Sequence, residues 1–221
     1  ASYALAAGVF LTVSNIALIE AMTHIPVSLG STVYRLNTVG VVLLAWLLLG
    51  ETLGVVKLGG LACGIAAVLV LYQRGSAPGM HRLATVYFLI ALAASCMRAG
   101  YGVTSKAGLA EGVDANLLMF VSAGCWIVGG LAYAALRERT LSMSVDTLRI
   151  GLLAGAVVYG IVNSLMAGLE AGEASVVVPI SNLGFVTAIA LSVGLGWEAM
   201  NLRKVSALVL AALAIALLAQ S

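Results

Sequence analysis

The sequence predicts an all-α integral membrane protein of about eight transmembrane helices, arranged as an inverted-repeat bundle of three plus five. Three observations predict it. The 221 residues are 62% hydrophobic and 9% charged, whereas an ordinary soluble domain carries roughly 25% charged residues. The apolar residues gather into eight stretches, each long enough to cross a bilayer. The start of the chain also recurs, faintly, at its end.

A spanning helix needs about 20 mostly apolar residues. The first stretch is 2–22 and ends at Thr23-His24-Ile25-Pro26. It has no basic lead-in and runs through Asn15 and Glu20, so it reads as a true helix and not as a signal peptide. The second is 27–50, closed by Gly50-Glu51-Thr52, and the third is 55–73. A linker follows at 78–82, with Pro78, Gly79, His81 and Arg82. The fourth stretch is 84–106 and the fifth 114–136, parted at Glu111-Gly112. Arg137-Glu138-Arg139 precedes the sixth, 149–170; Gly172-Glu173 precedes the seventh, 174–197. The eighth is 202–219. A β-barrel would show short alternating segments of about ten residues, and these are long and apolar all round. The 25 glycines suit close packing of membrane helices through small residues.

Composition also excludes several functions. The formal charge of +2, with no basic run, gives no footprint for nucleic acid. Cys63, Cys96 and Cys125 sit singly in apolar stretches and read as small packing residues. His24 and His81 are far apart, so no metal site and no cofactor are expected. No nucleophile–base constellation shares a helix face, which argues against an enzyme. The partners expected are the lipid bilayer and a small-molecule substrate; a homodimer is compatible with the sequence.

An offset of 147 residues brings Gly8 onto Gly155, Ser28 onto Ser175, Leu36 onto Leu183, Glu51 onto Glu198 and Lys57 onto Lys204. The Glu-x5-Lys pair is the part a leucine- and alanine-rich composition does not produce cheaply. Helices one to three then correspond to helices six to eight. Five helices separate equivalent positions, and an odd number inverts the second copy in the membrane. Inverted repeats with a site at their interface are a transporter architecture.

These residues carry a resemblance. Ile25-Pro26-Val27-Ser28 through Leu48-Leu49-Gly50-Glu51-Thr52-Leu53, then Lys57-Leu58-Gly59-Gly60, resembles the EamA-type repeat of the drug/metabolite transporter superfamily. Ser175 through Pro179-Ile180, then Gly196-Trp197-Glu198 and Lys204, is similar but degenerate. The resemblance implies ten helices in two inverted halves, in the inner or plasma membrane. Here residues 1–75 read as a partial first repeat of three helices, and 83–221 as a complete second repeat of five. Two readings of that asymmetry stay open. One is a secondary transporter of anionic or zwitterionic, amino-acid-like metabolites working by alternating access, lacking two helices of the usual ten. The other is a truncated, non-transporting membrane subunit that packs with a partner chain. Orientation stays open too. Arg74, Arg82, Arg137, Arg139, Arg149, Arg203 and Lys204 fall on one side and only Lys57 and Lys106 on the other. The positive-inside rule puts the first group in the cytoplasm; the resemblance implies the reverse.

Ionisable groups at bilayer depth cost from about 2.5 kcal/mol upward, so they mark candidate sites. Arg35 lies eight residues into the second stretch, about 12 Å deep at 1.5 Å per residue. Arg98 lies near the middle of the fourth. Each needs either a cavity or a carboxylate, with Glu20 and Glu170 the available ones. Helical spacing adds Tyr34 beside Arg35, Tyr101 beside Arg98, and Asn15, Asn163 and Asn182 on polar faces. Arg35 and Asn182 are repeat mates. The candidate substrate-binding set is therefore Arg35, Tyr34, Arg98, Tyr101, Asn15, Asn163 and Asn182. Two guanidinium groups suit an anionic group on the substrate. Glu20 and Glu170 are the candidate coupling carboxylates. Pro179 is expected to kink the seventh helix, and Glu51 and Glu198 read as helix-end residues.

Overall fold

The computed structural model describes residues 2–25, 30, 33–71, 82–138, 144–184, 186–187, 191, 194–195 and 200–220. The linker at 78–81, the segment Pro26–Leu29, and Trp197 and Glu198 lie outside the described residues. Among the described residues the chain is helical, in eight segments. They are α1 (Ser2–Met22), α2 (Asn37–Leu44, continuing as a π-helical turn Ala45–Leu49), α3 (Val55–Leu71), α4 (Arg82–Ala110), α5 (Ala115–Glu138), α6 (Val145–Ala171), α7 (Ala174–Asn182) and α8 (Leu202–Leu218).

Local chemistry sets the ends. Gly50 stops α2 with φ +68°, a left-handed conformation that costs glycine nothing, and so turns Glu51 back toward the bundle. Gly112, at φ +79°, does the same after α4. Asp114, Ser144 and Asn201 accept from the backbone N–H groups of Leu117, Thr147 and Lys204 at 3.0, 3.1 and 2.9 Å. Each satisfies a donor that the first turn of a helix leaves over.

Among the described residues four helices, α1, α4, α5 and α6, are long and apolar enough to cross a membrane. The 21 residues of α1 span about 31 Å, close to the hydrocarbon thickness of a bilayer. Their outward faces are apolar: Phe120 is 78% exposed and Leu153 71%. Water would penalise such a surface, and lipid does not. This is an all-α integral membrane protein.

Small residues make the helix contacts. α1 packs on α4 and α5, α3 on α8, and α2 on α4 and α7. Ala4, Ala7, Ala99 and Ala174 are fully buried in the main core, and Ala67, Ala211 and Ala214 in the α3–α8 contact. Between lipid-soluble helices this close approach replaces the hydrophobic drive available in water. Val55–Leu71 and Leu202–Leu218 have bounds that coincide at a shift of 147 residues. Their environments match as antiparallel neighbours.

The helices α1 and α6, which the 147-residue offset aligns, do not share an environment. α1 is covered by α4 and α5, whereas α6 buries only Met166 and Leu169. A Cβ built on Gly8 meets Cys125 Sγ at 2.7 Å, but one on its mate Gly155 meets nothing within 4 Å.

Three segments differ from the sequence reading. α4 runs on past 106, because Lys106 donates across to the Leu169 carbonyl at 2.6 Å instead of ending the helix. α6 starts at Val145, four residues early, because Ser144 caps it. α7, read as 174–197, has its regular turns interrupted after Asn182.

Candidate functional site

The interruption of α7 creates the polar centre. Pro179 lies inside the helix, where its ring and missing N–H disturb the regular ladder. Beyond it the chain tightens into three-residue turns. Leu183 N–H bonds the Ile180 carbonyl at 3.0 Å, Gly184 N–H the Ser181 carbonyl at 3.3 Å, and Val186 N–H the Leu183 carbonyl at 2.9 Å. Val186 therefore does not take the Asn182 carbonyl, as a continuing α-helix would require. Arg35 takes it, donating from Nη1 at 2.5 Å. Asn182 Nδ2 donates to Asn37 Oδ1 at 2.7 Å and Thr38 Oγ1 at 2.8 Å. Arg35 and Asn182, which the 147-residue offset aligns, thus meet each other. The space beside Arg35 is about 10 Å³, room for about one water.

On the other side of Asn182 a cavity of about 810 Å³ opens between α4, α6 and α7. That volume falls in the range of small-molecule sites. Arg98, Ser164, Ser181, Asn182 and Thr187 supply its polar groups. Val157, Ile161, Leu165, Val177 and Ile180 supply most of the rest. The Arg98 guanidinium carbon sits 5.0 Å from the centroid of the Tyr101 ring, in range for a cation–π contact. Among the described residues no carboxylate lies within ion-pair distance of Arg98. A guanidinium held by an aromatic face and lining a cavity has the chemistry to pair with a carboxylate or phosphate.

The sequence candidates are placed as follows. Arg98 and Asn182 line the large cavity, and Tyr101 is buried beneath Arg98. Arg35 lines the narrow space and contacts the cavity wall at the Asn182 backbone. Tyr34 and Asn15 meet in a seam between α1, α2 and α4: the Tyr34 hydroxyl donates to Asn15 Oδ1 at 3.3 Å and accepts from Ser14 at the same distance. Asn163 is exposed on α6, while its neighbour Ser164 lines the cavity. One residue is about 100° around a helix, and the sequence offered no way to choose between the two faces.

Among the described residues Arg98 forms no ion pair with Glu20 or Glu170, and Arg35 donates to the Asn182 carbonyl. Glu20 accepts from the Tyr133 hydroxyl at 2.6 Å and lies 3.4 Å from Arg137. This ties the end of α1 to α5. Glu170 is exposed at the end of α6, and it is Glu173 that forms an ion pair, with Lys57. Ser164, Ser181, Asn37 and Thr187 were not singled out by the sequence. Short hydroxyl and amide side chains in apolar helices serve interhelical packing as often as sites, so only their convergence distinguishes them.

Residues 1–73 match the EamA-like transporter family. No curated protein matches the chain. Fifteen solved chains resemble it in fold. One of these, described only as "Crystal structure of protein", superposes with a TM-score of 0.74 at 18% identity, covering 98% of this chain and 88% of its own. That likeness concerns the fold. The match over residues 1–73 is a likeness of that segment to a transporter family.

Proposed function

We propose that the chain is a secondary transporter that moves small anionic or zwitterionic, amino-acid-like metabolites across a cell membrane by alternating access. The repeats are 1–75 and 83–221; α4, α6 and α7 of the second line the cavity, and the first moves against it at the Arg35, Asn37 and Thr38 contacts with Asn182. The observation that carries this reading is the Arg98 guanidinium, which faces an 810 Å³ cavity at mid-helix with no carboxylate partner among the described residues. It receives the substrate's anionic group. Ser164, Ser181 and Asn182 orient the polar remainder, and the apolar wall accepts the side chain. A carboxylate replaces the missing counter-charge, so binding relieves a cost the empty site bears. Proteoliposomes holding the purified chain test this. Carboxylated zwitterions should be taken up, and their methyl esters should not. Equal uptake of acid and ester removes Arg98 as the recognition element.

A second reading is favoured by one observation. α6 leaves most of its surface uncovered, whereas its repeat mate α1 is packed by two helices. In that reading the chain is a non-transporting membrane subunit and α6 receives a partner chain. Transport by the purified chain alone excludes it.

A further inference from the structure

A second polar cluster lies away from the cavity, at the membrane face where α2 ends and α7 begins. α7 starts at Ala174, and its own cap residue, Glu173, makes no side-chain capping bond. The first turn of a helix presents unpaired N–H groups and a positive dipole end. Glu51 fills that role from elsewhere in the chain. Its Oε1 accepts from Ala174 N–H at 2.8 Å and its Oε2 from Ser175 N–H at 2.9 Å. Lys57, on the next helix, donates to Ser175 Oγ at 3.0 Å and pairs with the Glu173 carboxylate. Glu51, Lys57 and Ser175 are all buried, at 8%, 2% and 0% exposure. The neighbouring α6 end is held in the complementary sense, since Lys106 donates to the Leu169 carbonyl where the dipole is negative. A carboxylate thus sits on the helix start and an ammonium on the helix end, so both charges suit the backbone they touch.

The placement gives the cluster a role. Glu51 and Lys57 belong to the first repeat, and Glu173, Ala174 and Ser175 to the second. Val177 and Ile180, one to two turns further along α7, already line the cavity. Seven residues, about 10 Å of helix, separate Ser175 from Asn182. The cavity lining then continues away from the cluster, to Gly184 and Thr187.

We propose that the Glu51–Lys57–Glu173–Ser175 cluster is a latch that shuts one face of the cavity and must part before that face opens. It rests on the carrier reading only for what passes through the opening; the latch itself is tested without substrate. It binds the repeats through charge and backbone contacts that water can replace. Water cannot do the same for the apolar α3–α8 contact, so the latch is the element at this face suited to break and reform.

The test is thiol accessibility in membrane vesicles of both orientations. Val177→Cys, in a chain with Cys63, Cys96 and Cys125 replaced by alanine, reports the cavity wall. Glu111→Cys, exposed in the turn after α4 at the latch face, identifies which side is being labelled. A membrane-impermeant maleimide should label Val177→Cys slowly from the latch face and faster from the opposite one. Glu51→Gln and Lys57→Met should each raise the latch-face rate at least tenfold. Reversing the ion pair, with Lys57→Glu and Glu173→Lys together, should restore protection. Faster labelling from the latch face in the unmodified latch overturns the proposal, whether or not any variant folds. So do wild-type rates in folded Glu51→Gln and Lys57→Met, or a folded reversed pair as open as the single variants. Absence of transport by the same vesicles would count against the carrier reading and leave these rates unaffected.

Discussion

Arg98→Leu separates a binding guanidinium from a structural one. If Arg98 held the fold through a buried ion pair, its loss would leave an uncompensated partner and cost about 3–5 kcal/mol. Among the described residues it has no such partner. Removing it relieves a half-buried charge in an apolar helix, worth about 2.5 kcal/mol at bilayer depth, and forfeits the contact with Tyr101, worth about 0.5–2 kcal/mol. The two terms nearly cancel, so stability should stay within about 1–2 kcal/mol of the parent. Binding should respond differently. A hydrogen bond to a charged group contributes about 1.5–3 kcal/mol, which is about 10- to 150-fold in Kd. The assay is unfolding in detergent with and without a carboxylated ligand. The parent should gain a ligand-dependent rise in Tm that Arg98→Leu lacks at the same ligand concentration. A ligand-free loss above about 3 kcal/mol, with the ligand shift retained, refutes the reasoning.

Other predictions follow from packing. Gly8→Leu should destabilise the protein by about 1–3 kcal/mol, the usual range for overpacking, because its Cβ would press on Cys125. Gly155→Leu should lie within about 0.5 kcal/mol of the parent, as surface changes do; equal losses in thermal unfolding would contradict the exposed placement of α6. Asn182→Ala strips a donor from Asn37 and Thr38 and should cost about 1–3 kcal/mol. Its backbone bond from Arg35 should persist, so Arg35→Met and Asn182→Ala should weaken the fold additively in a double-mutant cycle. Arg137→Ala should cost under about 1 kcal/mol, since its pair with Glu20 is more than half exposed on the arginine side. Unchanged uptake in that variant would place the Glu20 pair outside the transport step, whereas loss of uptake would keep Glu20 as a coupling group.

Much of this architecture was legible in the residues. Long apolar runs fix helices because the bilayer leaves backbone groups no other partner. The Glu-x5-Lys recurrence marked the offset at which Val55–Leu71 and Leu202–Leu218 coincide, and it set Arg35 opposite Asn182. The faces were harder to read. α6 is apolar nearly all round, so nothing in its pattern says that Ser164 and not Asn163 turns to the cavity. Glu51 looked like an ordinary helix-end carboxylate, because its partners, the Ala174 and Ser175 N–H groups, are more than 120 residues away. Backbone donors leave no trace in side-chain identity. In the sequence Pro179 suggested only a kink, not the three-residue turns that follow Asn182.

The most direct test of the carrier account is counterflow. Vesicles preloaded with an unlabelled amino acid and reconstituted with the purified chain are diluted into a trace of the labelled compound. The account predicts transient accumulation of label above equilibrium, and its loss in Arg98→Leu at equal protein incorporation. Accumulation undiminished in Arg98→Leu, or label entering only to equilibrium in both, would contradict a carrier that binds its substrate at Arg98.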